Sequence, residues 1–137
     1  MELKFTVKGR SKAKQSFRIA KNGFKYTPRD VVEYANLVKL CFINTFPAWE
    51  PSLLVDKPLS VIINVYKSIP QSYSKKAQEK ALAGEIRPTT KPDCDNIAKN
   101  INDALNGVAY PDDKQIVSLS INKFYSDDER VEITIIG

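Results

Sequence analysis

The sequence predicts an α+β fold: a single domain over residues 1–137, one mixed β-sheet with helices packed on it. Three observations carry this. Four stretches, "LKFTVK" (3–8), "LSVIINVY" (59–66), "QIVSLSINKFY" (115–125) and "VEITII" (131–136), alternate or are rich in β-branched residues, as strands are. Three other stretches read as helices, two of them with apolar residues recurring at helical spacing. The order β, basic arm, α, β, α, α, β, β has no internal repeat and no linker that divides it, which favours one sheet with helices against it.

The elements follow in chain order. After the strand at 3–8 comes "GRSKAKQSFRIAKNGFKYTP", a basic arm (about 8–29) in which "KNG" marks a turn between two short extended pieces. Two readings of its Phe17, Phe24 and Tyr26 stay open: stacking on nucleic-acid bases, or anchoring the arm to the core. "TPRD" starts a helix over 28–46, with Thr27 as N-cap, Pro28 at the first helical position and Asp30 near the positive end of the dipole. Val31, Tyr34, Ala35, Val38 and Phe42 form its core stripe, and "PAWEP" ends it. After the strand at 59–66, "SYSKKAQEKALAGE" (72–85) is a second helix that stops at Gly84. Its Lys75, Lys76 and Lys80 serve either phosphate or solubility. "RPTTKP" (87–92) is extended, because each proline disfavours helix in the residue before it. A third helix begins near Asp95 or Asn96, buries Ile97, Ile101, Ala104 and Leu105, and ends at "NG" (106–107). "VAYPDD" turns the chain into the strand at 115–125, where Val117, Leu119 and Ile121 form the buried face against Ser118, Ser120 and Asn122. "SDDER" is the turn into the last strand.

Composition narrows the chemistry. With 42% apolar residues the chain can bury a real core. It has no histidine, which removes Ser-His-Asp and Cys-His nucleophiles, histidine-ligated zinc and imidazole acid–base work. Its two cysteines, Cys41 and Cys94, form no CxxC and fit reduced thiols in an intracellular, cytoplasmic protein. No apolar signal segment opens the chain, and no stretch is long enough for a membrane span. Carboxylates, lysines and a hard metal ion are the remaining tools of catalysis.

The net charge of +5 is uneven. Nine basic residues and one acid fall within 1–29, leaving twelve basic and fifteen acidic residues beyond it. A basic arm on a mildly acidic body suits a polyanion. Lys8, Arg10, Lys12, Lys14, Arg18, Lys21 and Lys25 are therefore the candidate DNA-binding residues. An anionic membrane surface is the weaker alternative, because the arm lacks an amphipathic helical pattern.

The acids at "KPDCDN" pose the sharper question. In an extended segment Asp93 and Asp95 point the same way and repel each other unless a cation lies between them. The alternative is plainer: Asp95 an N-cap, Asp93 a solvated turn residue. Lys99 lies one helical turn beyond Asp95, and the excursion to Asp112 and Asp113 can bring the chain back beside the helix start. Three carboxylates and a lysine suit an Mg²⁺ site for phosphodiester cleavage. An EF-hand does not fit, since Ile97 and Ala98 stand where a ligand and a glycine are needed.

"KPDCDNIAKNINDALNGVAYPDDKQIV" resembles the hallmark region of the RusA family of Holliday junction resolvases. It has Asp-x-Asp-Asn, a lysine four residues after the second aspartate, Asp-Ala-Leu, then Asp-Asp-x-Gln-Ile. The close match covers about 87–119, and a looser one covers the basic "GRSKAKQ…YTP". The resemblance implies a RusA-like α+β fold. It also implies an intertwined homodimer acting on branched DNA (a four-way junction) with Mg²⁺, or Mn²⁺ in its place, no organic cofactor, and a phage or prophage setting. It makes Asp93, Asp95 and Asp113 the metal-binding catalytic acids and Lys99 the catalytic lysine, with Asn96 and Asp112 in support and Asp103 structural. The "NGVAYP" segment is more compact than in some members, which bears on where Asp113 is placed. A two-fold dimer also suits a near-two-fold junction that needs paired symmetric nicks. Two rivals remain: a non-catalytic DNA-binding module, and a nuclease acting on flaps, forks or RNA.

Overall fold

The structure is a computed structural model that describes residues 1–11, 21–23 and 29–137, and the backbone alone at 18–19 and 25–26. It has the expected α+β architecture. Strands β1 (Glu2–Lys8), β4 (Leu59–Ser68), β5 (Ile116–Ser126) and β6 (Arg130–Ile136) form a mixed sheet in the order β1-β6-β4-β5. β6 runs antiparallel to both β1 and β4, whereas β4 and β5 are parallel. A parallel pair needs a crossover, and the chain between β4 and β5 supplies it with helices α2 (Lys75–Leu82) and α3 (Cys94–Leu105). In the arm, β2 (Arg18–Ile19) and β3 (Lys25–Tyr26) pair as a separate antiparallel ribbon around the expected turn, where Gly23 takes a φ of +85°.

Strict alternation makes one face of the sheet apolar. Leu3, Phe5 and Val7 of β1, Val61, Ile63 and Val65 of β4, and Val131, Ile133 and Ile135 of β6 are all buried. Against them lie helix α1 (Arg29–Thr45), through Tyr34, Val38 and Phe42, and α3, through Ile97, Ile101 and Leu105. Phe5 meets Phe42 edge-on at 5.3 Å between ring centroids. The other face is polar and half-exposed: Asn122 donates to Asn64 (3.1 Å), Tyr66 stacks on Phe124, and Arg130 lies 3.9 Å from the Tyr66 ring.

Several boundaries differ from expectation. α2 is shorter than 72–85, because the Ser74 hydroxyl accepts from Ala77 N (3.2 Å) and so fixes its start. Gly84, at φ +84°, ends it as predicted. The predicted caps of α1, Thr27 and Pro28, lie outside the described residues, as do Phe17 and Phe24. Residues 87–92 are irregular, with bends at 90–92 rather than a fully extended run. A 3-10 turn at Pro51–Leu54 was not foreseen.

The largest correction concerns β5. Its alternation is real, but the face taken as buried is not: Val117 is 72% and Leu119 45% exposed, and only Ile121 is partly covered. β5 is an edge strand, and the helix layer does not extend over its first half. Cys41 and Cys94 are free thiols, and among the described residues no helix is long and apolar enough to cross a membrane.

Candidate active site

α3 begins at Cys94, one or two residues earlier than the sequence suggests, with Asp93 as its N-cap residue. The extended geometry expected to turn Asp93 and Asp95 toward one point is therefore not formed. Asp95 stands in the first helical turn, where its charge complements the dipole, and the Asp93 side chain makes no capping bond. Buried Ile97, Ala98, Ile101, Ala104 and Leu105 hold one side of α3 against the core. That leaves Asp95, Lys99 and Asp103, each four residues from the next, along the exposed side.

This acid–lysine–acid row faces a cleft of about 650 Å³ between α3, the turn carrying Asp113, and the Leu119–Ile121 stretch of β5. Asn96 and Asn102 also line it, and Asn102 Oδ1 is buried without a hydrogen-bond partner. Asp93 is exposed and does not line the cleft.

Asp113 is placed by a small polar scaffold. A 3-10 turn at Asp113–Gln115 is closed by a capping box: Asp112 accepts from Lys114 N (3.0 Å), and Asp112 N donates to Gln115 Oε1 (3.1 Å). Gln115 Nε2 then donates to the carbonyls of Leu54 (2.7 Å) and Lys57 (3.1 Å), tying the turn to the segment that precedes β4. Asp113 N donates to Asn106 Oδ1 (3.2 Å), just past the end of α3. Partial burial pushes the Asp113 carboxyl above the usual aspartate range, helped by its hydrogen bond with Asp112 and by the charges of Asp103 and Asp112. The Lys114 N–H holds Asp112 below that range. Burial, then the charges of Asp113 and Asp103, push the nearby Tyr110 phenol well up.

The structure thus brings Asp95, Asn96, Lys99 and Asp113 around one cleft, leaves Asp93 at its margin, and gives Asp112 a local capping role. Asp103, read as structural support, also lines the cleft. Gln115, quoted in the motif without a role, is the scaffold's hub. Asp103 was visible to helical spacing from Lys99, whereas the partners of Gln115 lie some sixty residues away and left no local signal.

In kind, the donors suit a hard cation: carboxylate and amide oxygens, no imidazole. In distance they are not gathered, for among the described residues no three acids or cysteines lie close enough to hold a metal ion. Of the arm cations, Lys8, Arg10 and Lys21 are exposed, and Arg10 pairs with Glu129 at 3.4 Å. Arg18 and Lys25 stand on β2 and β3, while Lys12 and Lys14 lie outside the described residues.

An α+β domain that turns an acid–lysine–acid helix face toward a further aspartate, with no histidine available, has an acid-centred site on a mixed sheet. Comparison with protein families makes this specific. The model of the family described as endodeoxyribonuclease RusA matches residues 6–136, nearly the whole chain, and the protein belongs to that family. The chain is also similar to a Bacillus subtilis (strain 168) protein, "Uncharacterized protein YqaN", at 48% identity over 87 residues, 62% of this chain and 61% of that protein. The chain thus spans about three fifths of the length of the curated relative it matches.

Proposed function

We propose that the protein is a metal-dependent, structure-specific DNA endonuclease that resolves four-way Holliday junctions by paired symmetric hydrolysis of phosphodiesters, in DNA recombination and repair. One observation carries the reading: in a chain of the RusA family, Asp95, Lys99, Asp103 and Asp113 meet at one cleft. Asp93, Asp95 and Asp113 are the residues we assign to Mg²⁺, with Mn²⁺ as substitute. Bound there, the ion would activate water and offset charge on the reacting phosphate. Lys99, one turn from Asp95 on the same helix face, supplies the positive charge that holds the scissile phosphate. Asn96 orients the acids beside it, and Gln115 and Asp112 hold the turn that carries Asp113. The basic arm, with Lys8, Arg10 and Lys21 exposed, grips the DNA backbone. A homodimer supplies the second active site for the opposed strand, and the uncovered apolar side chains of edge strand β5 support it.

A second reading, a DNA-binding module without catalysis, is favoured by the absence of a three-acid cluster among the described residues. One experiment separates the two. A labelled four-way junction is incubated with native protein and with Asp95→Asn, with and without Mg²⁺, and binding is measured in parallel. The nuclease reading expects paired nicks from the native chain only with metal, and a variant that binds without cutting. If both bind equally and neither cuts with Mg²⁺ or Mn²⁺, the binding module takes its place. Cutting of flaps, forks or RNA in preference to the junction would retain the site and replace the substrate.

A further inference from the structure

Asp93 poses a problem that its own side chain does not solve. It belongs to the acids assigned above, yet it is exposed at the margin of the cleft and makes no capping bond to α3. Whatever sets its position must act through the backbone. The residues just before it are held in an unusual way. Lys67 Nζ, near the end of β4, donates to the Lys91 carbonyl (2.7 Å) and to Thr90 Oγ1 (3.0 Å). Lys123 Nζ, on neighbouring β5, donates to the carbonyls of Thr90 (2.5 Å) and Pro92 (3.1 Å). Three successive carbonyls, at 90, 91 and 92, are thus gripped by two ammonium groups, and the last belongs to the peptide unit from which Asp93 hangs.

The arrangement works against the lysines themselves. Val65 of β4 is the register partner of Lys123, so Lys67 stands two residues further along the adjacent strand and the two cations converge from one face. Partial burial, then the charges of Lys123 and Arg10, push the Lys67 ammonium below its ordinary pKa, with Glu129 opposing. Long basic side chains on a sheet normally reach for water. Here they turn onto a loop that enters an acidic site.

We propose that Lys67 and Lys123 are positioning residues for Asp93: by fixing the 90–92 carbonyls they set where the Asp93 carboxylate stands relative to Asp95. The inference rests on the assignment of Asp93 as a metal-binding acid. An ammonium has three donors, and each lysine uses two on the loop, so one per lysine is left for water or a phosphate. Direct DNA contact is thereby the rival the test must answer.

The test uses the full chain as native protein, Lys123→Met, Lys67→Met and Lys123→Arg. It reads four quantities: hydrogen exchange over residues 88–98 against the rest of the chain, Mn²⁺ affinity by calorimetry, metal-free junction affinity, and cutting rate at saturating junction. Loss of a charge-assisted grip on a backbone segment is expected to raise local exchange about tenfold or more and to leave the core strands protected. Mn²⁺ affinity and cutting rate should fall together by about tenfold, metal-free junction affinity should hold within about twofold, and Lys123→Arg should recover most of the loss through its two-pronged donor. Unchanged exchange with junction affinity falling as far as the cutting rate would assign the lysines to DNA and overturn the proposal. Exchange rising throughout the chain would reduce them to general stability and overturn it equally. Should the native protein fail to cut any junction, the nuclease reading falls by itself. Exchange and Mn²⁺ affinity still decide the positioning role: local loosening with weaker Mn²⁺ binding upholds it, and no change in either removes it.

Discussion

Lys99 and Asp95 occupy successive turns of one helix face and line the same cleft, so substituting each separates chemistry from binding in a different way. Lys99→Met removes a single cation from the reacting phosphate and leaves the basic arm intact. Under the proposed function the cutting rate should fall by about 10²-fold or more, with junction affinity changed only a few-fold, measured by single-turnover cleavage beside a binding titration. A parallel collapse of affinity would instead make Lys99 a general DNA contact. Gln115 tests the scaffold beneath the acids. Gln115→Ala removes a donor to two carbonyls and an acceptor for Asp112 N, at roughly 1 kcal/mol per bond. The urea midpoint should therefore report a loss of about 2–3 kcal/mol, with cutting reduced through Asp113. These two residues also mark how much of the site the sequence disclosed. Asp95, Lys99 and Asp113 were legible because spacing along one helix and one turn is local information. Gln115 was not, since its meaning depends on carbonyls in the distant 54–57 segment, and the orientation of Asp93 was not, because helix α3 starts before Asp95 rather than at it.

The elements show the same division between local pattern and tertiary context. α1, α3, β1, β4 and β6 followed from local pattern (apolar periodicity, β-branched runs and turn signals), because each presents one full apolar face to a partner that covers it. β5 followed in location but not in burial: alternation states that two faces differ, not that a helix lies over one of them. How the strand ends are fastened was equally silent. Glu129, in the turn between β5 and β6, accepts from Ser68 Oγ (2.7 Å) at the end of β4 and from Arg10 (3.4 Å), and its carbonyl accepts from Gly9 N (2.9 Å) just past β1. One carboxylate thus joins three strand ends. The Ser68 hydroxyl, then Arg10, hold its pKa below the ordinary glutamate value despite partial burial. A depressed folded pKa gives stability that is complete above the unfolded value of about 4.3 and lost as pH falls through the lower folded one. Glu129→Gln should therefore be less stable than native protein at neutral pH, and the gap should close as pH falls below the ordinary glutamate range, measured by urea midpoints across the range. A gap that stays constant with pH would show that the carboxylate's charge contributes nothing.

At the scale of the whole molecule, the question is what covers the apolar surface that one chain leaves open. β5 is an edge strand with Val117 72% exposed, and α1 turns Leu40 (54%) and Ile43 (48%) outward. An uncovered edge strand with apolar side chains is a surface that natural proteins ordinarily pair, charge or hide. Charge does not protect the first half of β5, since Val117, Leu119 and the serines beside them carry none and Lys123 stands further along. The proposed homodimer offers a self-complementary solution, in which a two-fold axis sets the same patch of each copy against the other and places two clefts on opposed strands of a junction. Val117 is the position to test, because Leu119 lines the cleft and its substitution would confuse assembly with catalysis. Val117→Lys, at a site so exposed, should alter the stability of a single protomer by no more than about 0.5 kcal/mol. Multi-angle light scattering is expected to give twice the protomer mass for the native chain and a single protomer for the variant, with unchanged circular dichroism. Leu40→Lys, made in parallel, tells whether α1 shares the interface. If assembly and catalysis are linked as proposed, Val117→Lys nicks one strand of a junction at a time and loses the paired cut. A native protein that runs as a single protomer, or a Val117→Lys variant that remains a dimer, would move the interface away from β5 and leave its exposed valine to some other partner.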